Sequence, residues 1–86
     1  MKHRTTDRFC RCYHGLPGEI RKVADKNFKL LKVNPSHPSL QFKKIGEPWS
    51  ARVDQAYRAL AVEDGSDFIW VWVGTHDEYE RILKGR

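Results

Sequence analysis

Residues 49–79 read WSARVDQAYRALAVEDGSDFIWVWVGTHDEY, and their alternation of aliphatic, small and aromatic residues around two turn signals predicts three antiparallel strands. Glu63-Asp64-Gly65-Ser66-Asp67 suits a two-residue hairpin with Gly65 and Ser66 at its tip, glycine supplying the positive φ. Carried down from that tip, the register sets Ala61 opposite Trp70 and Ala59 opposite Trp72 on one side. Val62 faces Ile69 and Leu60 faces Val71 on the other. A slip of one residue would put Leu60 opposite Trp70 and mix the two faces. Tyr57 and Arg58 then open their strand beside Val73 and Gly74. The preceding strand, Trp49 to Val53, returns through Asp54-Gln55-Ala56, so Arg52, Tyr57, Arg58 and His76 converge on one end of the sheet.

Working outward, Lys2 to Thr5 can form a short edge strand, and Thr6 or Asp7 can cap a helix running to about His14, before Gly15. Pro17 and Glu19 open a second helix. Its apolar stripe is Ile20, Val23, Ala24, Phe28 and Leu31, with Lys22, Lys26 and Lys29 elsewhere on its surface. Proline disfavours helix before it, so this helix ends near Asn34-Pro35. His37-Pro38-Ser39 connects to a strand from about Leu40 to Ile45, and Gly46-Glu47-Pro48 turns the chain into the sheet. After Gly74, Thr75 and Glu78 form a T-x-x-E capping box for a short C-terminal helix, whose last residues, Lys84 to Arg86, complement its negative end.

With 86 residues the chain is expected to be one domain, residues 1–86, with one modest core. Its charge is uneven: residues 1–46 hold eleven Lys and Arg against three Asp and Glu, a net +8, and residues 47–86 hold five against eight, a net −3. The first half is therefore the surface for a polyanion or an acidic partner. Cys10 and Cys12 are too few and too close for a disulfide framework, which favours a reducing cytoplasm. The N-terminal MKHRTTDRF lacks the apolar stretch of a signal peptide, and no run approaches the roughly 18 apolar residues that span a bilayer, so no membrane association is expected. Cys10 and His14 have helical i, i+4 spacing, but two further suitably spaced ligands are missing, so neither a metal nor another cofactor is expected.

The strand LQFKKIG (residues 40–46), the hairpin WSARVDQAYRAL (49–60), the strand FIWVWVG (68–74) and the closing GTHDEY (74–79), in that order, resemble the RelE/ParE superfamily of bacterial type II toxins. The resemblance covers nearly the whole chain and is strongest from His37 to Leu83. It implies a small α+β fold of RelE-like type, with helices packed on one face of a mainly antiparallel sheet of four or five strands and a short C-terminal helix. It also implies one of two activities. RelE-like ribonucleases enter the ribosomal A site and cut mRNA without metal, whereas ParE-like members inhibit DNA gyrase and cut nothing. Both kinds are neutralised by a cognate antitoxin. A catalytically decayed member acting as a binding module is a third reading.

Metal-free RNA cleavage needs the 2′-OH deprotonated, charge on the phosphorane stabilised and the leaving 5′-oxygen protonated. His76 matches the functional histidine of G-T-H motifs in the RelE-like nucleases, and histidine's unperturbed pKa of about 6.5 suits proton transfer near neutrality. Arg52 resembles the family's phosphate-binding arginine on the middle strand, where a planar, permanently charged fork fits a phosphorane. Tyr79, three residues after His76, shares its helical face and can stack or relay a proton. Lys43 and Lys44 are phosphate candidates, but adjacent strand residues point to opposite faces and only one can enter a common groove. Arg58 is a further phosphate candidate, with a structural role beside the active end, such as pairing with Asp54, as its competing reading. Tyr57, Trp70 and Trp72 read as packing. Asp54 stands where relatives often carry glycine, and Asp54, Asp77 and Glu78 are candidates for a general base by proximity alone.

Overall fold

The hairpin forms as its sequence dictates: Asp64 pairs with Asp67, and Gly65 at the tip has φ +63°. From this turn the computed structural model, which describes residues 2–85, builds a five-stranded sheet in the order β1-β5-β4-β3-β2. The strands are β1 (His3–Thr5), β2 (Lys43–Lys44), β3 (Trp49–Asp54), β4 (Tyr57–Asp64) and β5 (Asp67–Thr75). All neighbours are antiparallel except β1, which runs parallel to β5. Three helices complete an α+β fold: α1 (Asp7–His14), α2 (Gly18–Val33) and α3 (His76–Lys84).

The helix ends follow their capping chemistry. Thr6 accepts a hydrogen bond from the Phe9 amide to start α1, and Gly15 follows its last turn. Thr75 and Glu78 form the reciprocal capping box of α3. Lys84 lies in the last turn of α3, and Arg86 falls outside the described residues. The α2 stripe of Ile20, Val23, Ala24, Phe28 and Leu31 packs on the main core, while Lys22, Lys26 and Lys29 stay exposed. Among the described residues no helix is long and apolar enough to cross a membrane.

Three expectations change. The strand expected over residues 40–45 is only Lys43–Lys44, because Pro38–Leu40 forms a 3-10 turn and Gln41 follows in the left-handed region at φ 45°. Burial of Leu40 under the sheet overrides local alternation there. The helices also do not share one face: α1 and α2 pack with the Ala59, Ala61 and Trp70 side, whereas α3 packs with Leu60 and Trp72 on the other. Lastly, the β4–β5 register holds from the tip to Ala61–Trp70 and then shifts by one residue. Leu60 pairs with Trp72, Ala59 with Val73, Arg58 with Gly74 and Tyr57 with Thr75.

The shift is a β-bulge at Val71, and it sends the two tryptophans to opposite faces. Trp70 joins the α2-side core, in edge or tilted contact with Phe9, Phe28 and Phe42. Trp72 goes to the α3 side, where its ring lies across Gly74: a Cβ there would sit 2.5 Å from Trp72 Cζ2. Glycine is required at 74 by this close approach.

His3 on β1 closes the aromatic core, accepting a 3.1 Å hydrogen bond at Nδ1 from the Trp70 indole and stacking on Phe68. Burial, reinforced by the Lys32 charge and opposed by Asp67, lowers its pKa below the usual histidine value. The folded state therefore favours neutral His3. Stability is full above the unfolded value of about 6.5 and falls as pH drops through the lowered folded value. A melting temperature that declines from pH 7 to pH 5, with a smaller decline in His3→Gln, is the expected result.

Candidate anion-binding cleft

Side-chain alternation on three strands builds the floor of the site. Lys43 pairs with Ser50, and Arg52 with Arg58, so these four residues share the face on which Leu60, Trp72 and Gly74 lie. Leu60, Trp72 and Tyr79 are buried together there, with Ile82 and Leu83 packed against them, and this apolar seat holds α3 on the sheet. The His76 amide donates to the Ala56 carbonyl at 2.7 Å, which ties the start of α3 to the β3–β4 turn. His76 and Tyr79 thus stand over the cations from the strands. Together with Gln41 and Ile45 they enclose a cleft of about 170 Å3.

The charges in this cleft are unbalanced. Arg52 and Arg58 are direct cross-strand neighbours, an arrangement that repels unless an anion lies between them. Among the described residues no carboxylate lies within ion-pair distance of Lys43, Arg52 or Arg58. Arg58 is anchored through Nη1, which donates to the carbonyls of Asp54 at 2.7 Å and Tyr57 at 3.0 Å. Its partner in the turn is thus the Asp54 backbone, since the Asp54 carboxylate accepts from the Ala56 amide. The Arg52 side chain makes no hydrogen bond within the described residues. Its strand end is held from the opposite side, where Asn27 of α2 donates to the carbonyl of Val53, the residue skipped by the β3–β4 ladder. A guanidinium on a fixed strand with unused donors suits a bidentate phosphate contact.

His76 is about two-fifths exposed; its Nε2 lies 3.5 Å from Glu80 Oε1. Its ring centroid is 5.8 Å from that of Tyr79. Glu78 is committed to the capping box, and Asp77 is exposed. The carboxylate placed to orient the imidazole is therefore Glu80, at the i+4 position that helical spacing makes available.

Of the residues singled out in the sequence, the structure brings together Lys43, Arg52, Arg58, His76 and Tyr79. Lys44 is not among them: it points to the other face and lies 3.7 Å from Glu63, which also accepts from the Trp49 indole. Tyr57 packs on the α2-side core, away from the cleft. Sequence reasoning missed Gln41, Ser50 and Glu80. Ser50 was accessible to it, because a residue two before Arg52 on a strand shares its face. A second cavity, of about 110 Å3, lies between α1, α2 and the sheet. Its walls are mostly apolar, among them Phe9, Phe28, Leu31 and Trp70.

No protein-family model and no curated protein matches this chain. Solved structures match it along nearly its whole length. The RelB-RelE antitoxin-toxin complex from Methanococcus jannaschii is similar at 19% identity and a TM-score of 0.73, covering 93% of this chain and 98% of that one. The YoeB/ParE toxin from Agrobacterium tumefaciens is similar at 15% identity and a TM-score of 0.69, over 88% and 99% of the two chains. The toxin-antitoxin complex RelBE2 from Mycobacterium tuberculosis matches at 24% identity and a TM-score of 0.63, over 87% and 96%. This chain shares the fold of these toxins.

Proposed function

We propose that this chain is the toxin of a toxin-antitoxin pair and that it cleaves mRNA on the ribosome without a metal ion. The observation that carries the reading is the cleft itself: three cations without carboxylate partners among the described residues, joined by an imidazole and a phenol from α3. In this mechanism Arg52 and Lys43 bind the scissile phosphate and stabilise the phosphorane as negative charge builds on it. Arg58, fixed by two backbone carbonyls, adds a second guanidinium beside Arg52. His76, oriented by Glu80, moves the proton at the attacking 2′-OH or the leaving 5′-oxygen, and the Tyr79 hydroxyl assists.

A cognate antitoxin is the second partner, as in the RelB-RelE complexes that share this fold. The exposed lysines of α2 and the +8 charge of residues 1–46 suit an acidic segment of such a protein.

The test is to incubate translating ribosomes with the protein and map the RNA ends. Cuts at codons in the A site are expected, and His76→Ala should slow them about 100-fold, the scale of general acid-base catalysis. Intact mRNA together with lost DNA supercoiling by gyrase would select the ParE-like reading instead. Intact mRNA with unimpaired gyrase would point to a decayed toxin that only binds.

A further inference from the structure

Ser50 is the one buried polar residue of the described chain, 4% exposed, and it lies in the wall of the cleft. Its position is set by the sheet: it pairs with Lys43 on one side and Leu60 on the other, two residues before Arg52 on the same face. Its hydroxyl makes no hydrogen bond within the described residues, yet no fully buried side-chain polar atom is left without a partner. The hydroxyl therefore opens to the cleft. A serine placed merely to fill a buried strand position would gain nothing over alanine there, because a hydroxyl withdrawn from most of its water and given no partner costs stability.

We infer that Ser50 is a phosphate-contacting residue, whose hydroxyl donates to a non-bridging oxygen of the RNA phosphodiester between Lys43 and Arg52. The inference rests on the RNA-cleaving reading above and extends it to a group that carries no charge. The two cations supply attraction from many directions; a hydroxyl on a rigid strand supplies one direction, and so fixes which oxygen faces Arg52. Buried between its neighbours, Ser50 loses little side-chain freedom when the phosphate arrives.

Single-turnover cleavage of ribosome-bound mRNA, measured over a range of protein concentrations, separates docking from chemistry. Ser50→Ala should lower the maximal rate about tenfold, the scale of one hydrogen bond to a charged group, and leave the half-saturating concentration unchanged. Its melting temperature should equal or exceed that of the parent. Ser50→Cys, of similar shape and with a weak S–H donor, should fall between the two in rate. A parent-like rate in Ser50→Ala overturns the inference while leaving the cleavage reading intact. So does a melting temperature that drops together with the rate, since a structural hydroxyl behaves that way. A parent protein that cuts no mRNA under these conditions overturns both.

Discussion

Arg52→Ala is expected to slow the proposed mRNA cleavage about a thousandfold, the upper range for removing a group that stabilises transition-state charge. Arg52 lines the cleft, and among the described residues its side chain makes no hydrogen bond and has no carboxylate in reach, so its donors are free for an anion. The same facts set the sign of the effect on stability. Removing a guanidinium opposite Arg58 relieves a like-charge cross-strand pair, so the variant should melt at or slightly above the parent temperature. Arg52→Lys should recover only part of the rate, because an ammonium cannot offer the planar fork. Single-turnover rates beside melting curves check both halves. A variant that loses activity and stability together would show that Arg52 is structural.

The second large effect belongs to a residue outside the cleft. Trp72→Ala should destabilise the protein by about 3 kcal/mol, the lower range for truncating a buried tryptophan. For a domain of this size that corresponds to a fall in melting temperature of roughly 15 °C. Trp72 is 5% exposed and shares its pocket with Leu60 and Tyr79, so its loss empties the seat on which α3 rests. His76 and Tyr79 are held over the strand cations by that seat. Cleavage should therefore fall with stability, and amide hydrogen exchange should speed up across residues 76–84 before it does in β4 and β5. Trp72→Phe, which keeps an aromatic ring in the pocket, should retain most of the protection.

Local signals were sufficient for much of this molecule. The hairpin tip, the caps at Thr6 and Thr75, the apolar stripe of α2 and its end at Asn34 all depend on residues within a few positions of one another. So did the division between Lys43 and Lys44, since strand alternation already said that one of them must leave the groove. Which one leaves depends on β2 pairing with β3 at Lys43–Ser50, a contact that the short basic strand does not announce. Glu80 belongs to no motif of its own: its place beside His76 follows only from α3 beginning at His76, which sets the two at i, i+4.

By itself, the sequence determined the element types, the sheet's antiparallel heart, the convergence of Arg52, Arg58 and His76, and a resemblance to RelE-like toxins. Tertiary structure alone decided the face on which that convergence occurs. Alternation places Trp70 and Trp72 on one side of an unbroken strand, and both are large enough to pack on either. Trp70 shares the α2-side core with Phe28 and Leu31, whereas on the opposite face the bare Cα of Gly74 leaves space for the Trp72 ring. The bulge at Val71 makes that division, Trp72 becomes the seat of α3, and His76 arrives above the strand cations Lys43, Arg52 and Arg58.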